Sequence, residues 1–257
     1  MLHAISSYYK YLLTSTNQYG VHSPFLFSYL TKGLRNSTQV DLKKVIELRK
    51  ELSRNHKEIQ VTDFGAGSRI FDGNKRAVSK IAATAGISKK RGKLLAKTTN
   101  YFQPESILEI GTSLGIATAY MASGAPQATI TTLEGCPATA HIAKENFQKL
   151  HLNNIEVIIG EFDQFLNQIP QDNPYDLIFF DGNHQKEATI RYFNKCLELA
   201  HEQSIFIFDD IHWSKGMEAA WEVIKTHEKV SMSVDTYKWG LVFFSKGREK
   251  QHFTIRI

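Results

Sequence analysis

The second part of the chain alternates short apolar runs with longer segments of helical spacing. The runs at residues 106–110, 129–133, 155–159, 176–180 and 204–208 are β-rich and too short for helices, which predicts five strands. Between them, apolar residues recur at three- and four-residue intervals: Ala143, Phe147 and Leu150, then Ile190, Phe193, Leu197 and Ala200, then Met217, Ala220, Trp221 and Ile224. Each set lies on one face of a helix. Strand and helix in strict alternation imply a parallel α/β sheet with helices on both faces.

Two further strands are expected at residues 230–234 and 240–244. Only DTYKW joins them, too few residues for a right-handed crossover, so they must pair as an antiparallel hairpin. Before residue 100 the pattern changes: residues 40–52, 77–85 and 92–101 read as amphipathic helices, with GAGS and DGN turns between. We expect two regions, a mainly helical N-terminal cap over residues 1–100 and an α/β domain over residues 101–257.

Composition narrows the class. Of 257 residues, 42% are hydrophobic and 22% charged, with 6 prolines, which excludes disordered, collagenous and coiled-coil chains. No apolar run is long enough to span a membrane, and MLHAISSYYKYLLTS has neither a charged leader nor an apolar signal core. Two cysteines, Cys136 and Cys196, do not make a disulfide scaffold, and a reducing cytoplasm is the expected compartment. The net charge of +5 is unevenly placed: residues 1–100 hold 18 Lys and Arg against 6 Asp and Glu, leaving 13 against 20 in the remainder. Such asymmetry raises the question of a nucleic-acid partner for the basic region.

The first strand runs into ILEIGTSLG, where Gly111 permits a tight turn and the following helix directs free N–H groups at the space beside it. The next strand ends in Glu134, 23 residues after Gly111, beside Gly135. A carboxylate there can accept hydrogen bonds from both hydroxyls of a ribose. The glycine pattern is G-x-x-x-G, preceded by Glu109, and not the G-x-G-x-x-G that cradles a pyrophosphate, so a nucleoside without phosphate fits better than a dinucleotide.

At these residues the chain resembles the class I S-adenosylmethionine-dependent O-methyltransferases: ILEIGTSLGIAT is similar to their first motif and LEG to their ribose-binding motif. The resemblance covers roughly residues 104–245 and implies a Rossmann-like sheet of seven strands with the last antiparallel. It implies that Gly111, Thr112, Ser113 and Gly115 line the methionine moiety, that Glu134 holds the ribose, and that Gly160, Glu161 and Phe162 lie near the adenine.

The strands YDLIFFDGNH and IFIFDDIHW each end in acid. Asp181, Asp209 and Asp210 would crowd like charges at the carboxyl edge of the sheet, which a Mg²⁺ ion would relieve while it lowered the pKa of a substrate hydroxyl. His184, three residues beyond Asp181, is the candidate base. D-x-x-H followed by an acidic pair resembles metal-dependent sugar and small-molecule O-methyltransferases. The catechol type has an Asp-Asn pair and a Lys where His184 stands, and this chain departs from it at both places.

The expected activity is therefore methyl transfer from S-adenosylmethionine to a hydroxyl of a small molecule or sugar, assisted by Mg²⁺. The alternative is an RNA methyltransferase whose basic N-terminal region holds phosphates. A nucleotide-binding protein without turnover is a third reading, and a nicotinamide oxidoreductase is opposed by the glycine pattern and the hairpin. The run KKRGKLLAK at residues 89–97 reads as a solvated basic surface, DFGAGSR at residues 63–69 as a loop of the cap, and His212 and Trp213 as candidates to orient a substrate. A homo-oligomer is left open, with the hairpin edge and the cap as contact surfaces.

Overall fold

The computed structural model describes residues 2–35, 40–62, 74–170, 172–247 and 249–257. The loop at residues 63–69 lies outside the described residues. The first elements are α1 (Leu2–Thr14), α2 (Pro24–Ser28) with a π-helical continuation over Tyr29–Arg35, and α3 (Lys43–Leu52). A short antiparallel pair follows, β1 (Glu58–Gln60) and β2 (Lys75–Ala77), then α4 (Val78–Thr84) and α5 (Lys89–Phe102). Strands and helices then alternate: β3 (Ser106–Ile110), α6 (Ile116–Gly124), β4 (Thr129–Glu134), α7 (Pro137–Leu150), β5 (Ile155–Ile159), α8 (Phe162–Gln168), β6 (Leu177–Phe180), α9 (Lys186–Cys196), β7 (Ile205–Asp209) and α10 (Lys215–Thr226). Three strands complete the order, β8 (Met232–Asp235), β9 (Trp239–Phe243) and β10 (Gln251–Thr254).

The strands of the main sheet run in the order β10-β8-β9-β7-β6-β3-β4-β5, with β9 antiparallel to both of its neighbours and all other pairings parallel. The closing hairpin matches the expected plan, and the strand order reverses at β3. The expectation of seven strands needs correcting, because among the described residues the main sheet has eight. The additional one, β10, adds to the outer edge of β8 in parallel, and Thr16 and Ile255 bridge beside it. QHFT escapes the sequence pattern because an edge strand with two exposed and two half-buried residues has no apolar alternation. For the same reason the three-residue strands β1 and β2 are missed in a region read as mainly helical.

Alternate residues of each strand feed opposite faces. Ile107, Ile130, Leu177, Phe179, Ile205 and Leu241 join a core with α5, α6 and the N-terminal elements, whereas Leu108, Ile178, Phe180, Phe206 and Val242 join one with α9 and α10. The basic N-terminal region thus shares its apolar core with one face of the sheet, and α5 carries through residue 100 to Phe102.

Helix α5 is fixed at both ends. Ser88 caps it by accepting from the Arg91 N–H at 3.3 Å, and Gln103, in the left-handed region at φ 47°, ends it just before Pro104. Its first turn lies flush on α6: a Cβ built on Gly92 would meet the Tyr120 ring at 2.2 Å. Only a residue without a side chain lets the two helices approach so closely. Alanine in place of glycine within a helix normally stabilises by about 1 kcal/mol. Here Gly92→Ala should instead destabilise by about 1–3 kcal/mol through overpacking, measured by urea unfolding; a gain in stability would show that α5 does not bear on Tyr120.

Candidate active site

Strand register brings the chemistry together. Ile110 pairs with Leu133 on one side and Phe180 on the other, and Phe180 pairs with Phe208. Gly111, Glu134, Asp181 and Asp209 are each the next residue along their strands, so four segments distant in sequence deliver their polar residues to one row at the carboxyl edge of the sheet.

The turn after β3 is built on Gly111, at φ +108°. The N–H groups of Gly111 and Thr112 both donate to the Leu133 carbonyl at 3.0 Å. A Cβ on Gly111 would come within 2.7 Å of the Asp181 carbonyl, so the turn passes directly against the end of β6. Ser113 follows at φ 50°, and Gly115, at φ +78°, caps α6. The Ser113 N–H donates to Glu134 Oε2 at 2.7 Å and the Cys136 N–H to Oε1 at 2.9 Å. The Thr139 hydroxyl and the Gly135 N–H also hydrogen-bond this carboxylate. Burial raises the Glu134 pKa above the ordinary carboxylate value, against the backbone hydrogen bonds that lower it.

The loop after β5 closes on the same place. The Gly160 N–H donates to the Glu134 carbonyl at 3.0 Å, Glu161 precedes α8 as its cap residue, and the Phe162 ring packs against Gly182. Beneath the turn, Glu109 is fully buried. Its Oε2 accepts from the Thr118 hydroxyl and, at 2.5 Å, from Thr132, which also bonds the Thr112 hydroxyl at 2.6 Å. Oε1 of Glu109 has no partner. Burial pushes this carboxyl up to about 8, with the two threonine hydroxyls opposing.

Asp181 and Asp209 meet as a hydrogen-bonded pair. Burial first, and then the Asp209 charge, push Asp181 well above the usual carboxylate range; Asp209 is raised as well, by burial and by Asp210. His184 Nε2 lies 3.6 Å from Asp181 Oδ1, and its ring centre is 6.0 Å from that of Trp213. Asp181 and His184 are thus brought together as expected. His212 instead stacks on Tyr237 and bonds Glu218 at 2.7 Å and Asp235 at 2.8 Å, which makes it a fastener of the fold.

Sequence reasoning missed Arg91. Its Nη1 lies 2.6 Å from Oδ1 and 2.7 Å from Oδ2 of Asp209, and 3.5 Å from Oδ1 of Asp210; Lys238 Nζ is 3.4 Å from the same Asp210 oxygen. The basic run on α5 is therefore not a solvated surface throughout, since Lys90 bonds the Ile257 carbonyl and Lys97 the Leu34 carbonyl. The expected magnesium set does not fit this arrangement: both oxygens of Asp209 are directed at a guanidinium. Among the described residues, no group of three or more His, Cys, Asp and Glu is placed to hold a metal. Nor, among the described residues, is any helix long and apolar enough to cross a membrane.

The Glu109 environment sets a pH dependence. Unfolded, this carboxyl titrates near its ordinary 4.5, and folded near 8, so the folded state keeps a proton that the unfolded state has lost. Its contribution to stability is full below the lower value and is lost as pH rises through the upper one. Glu109→Gln should reduce the fall in unfolding free energy between about pH 5 and pH 8, read from denaturant curves at each pH; an unchanged slope would refute the assignment.

A family profile described as "Methyltransferase domain" matches residues 108–211. The chain is 32% identical over 137 residues to a catechol O-methyltransferase of Mycobacterium tuberculosis, an alignment covering 52% of this chain and 60% of that one. A catechol O-methyltransferase of Niastella koreensis is 29% identical over 129 residues, covering 49% and 58%. The chain thus spans about three fifths of the length of these relatives. Among solved structures, an S-adenosylhomocysteine-bound methyltransferase of Podospora anserina superposes with a TM-score of 0.63 at 16% identity, covering 88% of this chain and 98% of that one. An O-methyltransferase of Bacillus cereus, also in complex with S-adenosylhomocysteine, gives 0.55 at 20% identity, covering 86% and 96%. The row of polar residues at the sheet edge therefore sits on a fold shared with these methyltransferases, and residues 108–211 resemble a methyltransferase domain.

Proposed function

We propose that this protein transfers a methyl group from S-adenosylmethionine to a hydroxyl oxygen of a small molecule. The observation that carries the proposal is the Glu134 carboxylate, held by the Ser113 and Cys136 N–H groups at the foot of the Gly111 turn. A carboxylate at the end of the second parallel strand, beside the glycine turn, suits the two hydroxyls of a ribose. Glu109, fully buried beneath the same turn, would support the methionine side of the cofactor through its threonine partners. The turn has no phosphate-binding glycine pattern, and Gly111, Thr112, Ser113 and Gly115 would border a nucleoside carrying an amino-acid tail. Gly135, Glu161 and Phe162 would border the base.

Bound there, S-adenosylmethionine would supply an electrophilic methyl on a sulfonium. His184 takes the hydroxyl proton onto its imidazole, with Asp181 beside it to orient the ring. The freed oxygen pair forms the new O–C bond as the C–S bond breaks, and that electron pair stays on sulfur. Trp213, adjacent to His184, helps exclude water from the reacting oxygen. Most of the acceleration comes from holding the two reactants in line. Magnesium assistance is not part of this proposal, because Arg91 engages the acids that would bind the ion.

The acceptor class is read from the two bacterial relatives, which are catechol O-methyltransferases. The basic run does not favour an RNA acceptor, since Lys90, Arg91 and Lys97 are all engaged within the chain. Residues 1–100 act as the cap that shapes the acceptor side, and residues 101–257 as the cofactor-binding domain.

Two variants separate binding from chemistry. Glu134→Ala should weaken S-adenosylhomocysteine binding by about 10- to 100-fold in calorimetry, the value of charged hydrogen bonds to two hydroxyls; undiminished binding would overturn the cofactor assignment. His184→Asn should leave that binding intact and lower turnover of labelled S-adenosylmethionine with catechol as probe acceptor by about 10²- to 10⁴-fold.

A further inference from the structure

In a site built for methyl transfer to a hydroxyl, something must favour the oxygen as it loses its proton. A divalent ion would do this from the acids at the ends of β6 and β7, and those acids are engaged otherwise. Resting on the methyl-transfer reading, we propose that the Arg91 guanidinium stands in place of that ion. It neutralises the acidic cluster and presents a fixed cationic donor to the acceptor oxygen, so that turnover needs no metal.

Three observations carry this. First, Asp209 directs both of its oxygens, at 2.6 and 2.7 Å, to one nitrogen of Arg91, as a carboxylate chelates a cation. A hard divalent ion needs the same oxygens at about 2.0–2.6 Å, and two cations cannot share that position. Second, Arg91 is delivered by a rigid element. Its own N–H is held by the Ser88 cap, and the next residue, Gly92, is pressed onto Tyr120. The guanidinium is thus positioned by backbone packing, and it stays charged at any working pH. Third, every hydrogen bond of the guanidinium uses Nη1, so Nε and Nη2 make none among the described residues, while the side chain keeps 23% of its surface exposed. Those donors are available to an oxygen that gains negative charge, which is how oriented cationic donors lower a barrier. Lys238, 3.4 Å from Asp210, adds the second positive charge.

The proposal makes an inverted prediction about metals. Removing the arginine leaves carboxylates in need of a cation, so Arg91→Ala should bind Mn²⁺ at least about tenfold more tightly than the wild-type chain, followed by the loss of the free-ion signal in electron paramagnetic resonance. Wild-type turnover of catechol should survive a chelator, and the residual turnover of Arg91→Ala should rise on addition of Mg²⁺. Arg91→Lys, which keeps the charge and loses the fork, should resemble wild type in its poor affinity for Mn²⁺. Equal or tighter Mn²⁺ binding by the wild type, or turnover abolished by the chelator, would overturn the proposal. If circular dichroism shows Arg91→Ala unfolded, the wild-type titration decides alone: Mn²⁺ bound with a Kd below about 1 mM refutes it, and chelator-resistant turnover without bound Mn²⁺ supports it. Calorimetry with S-adenosylhomocysteine separates the two ideas, because absence of that binding removes the methyl-transfer reading whatever the Mn²⁺ titrations give.

Discussion

Asp209 is 3% exposed and ends a strand in the middle of the sheet, with Asp181 hydrogen-bonded to it and Asp210 next along the chain. An ionised carboxylate removed from water costs several kcal/mol unless a cation meets it. In this fold the cation comes from α5, in the other half of the sequence, and the requirement reaches well beyond one ion pair. Arg91 meets Asp209 only if α5 lies flush on α6, which requires Gly92 at Tyr120, the Ser88 cap, and a common apolar core for the N-terminal region and the sheet. The electrostatics of the site and the packing of the basic region are one constraint.

The same constraint accounts for the uneven charge along the chain. An acidic edge gathers Glu134, Asp181, Asp209 and Asp210 because parallel strands in register deliver their ends to one row. A neighbouring basic region then lowers the cost of keeping those acids together, whether or not it also attracts a substrate. What reads along the sequence as two differently charged portions meets in space where Arg91 engages Asp209 and Asp210.

The central strands β6 and β7 were legible because LIFF and IFIFD are buried on both faces, and the others because their short apolar runs are separated by segments of helical spacing. Gly111 and Glu134 were legible because a turn against a neighbouring backbone needs glycine and because the distance from one strand end to the next is short and regular. The pairing of Asp181 with His184 followed from a separation of three residues. Arg91 was not legible: 118 residues separate it from Asp209, and within KKRGKLLAK nothing distinguishes it from the lysines beside it except the glycine that follows. The magnesium expectation was drawn without it, since a charge count along two strands cannot include a partner brought in by tertiary packing. The edge strand β10 escaped notice for want of apolar alternation.

The outer edge of the sheet has a consequence for how the molecule assembles. The Tyr11 hydroxyl donates to the Ile255 carbonyl at 2.7 Å across 244 positions, and Thr16 exchanges backbone hydrogen bonds with Thr254 and Arg256 at 2.9 Å. Closing so long a loop gains little until the intervening chain is already compact. The seam between α1 and β10 is thus a contact of the longest range in the chain, made only when both ends of the sequence are brought to the sheet's outer edge. The seam lies at the far edge of the sheet, apart from the row of polar residues at its centre.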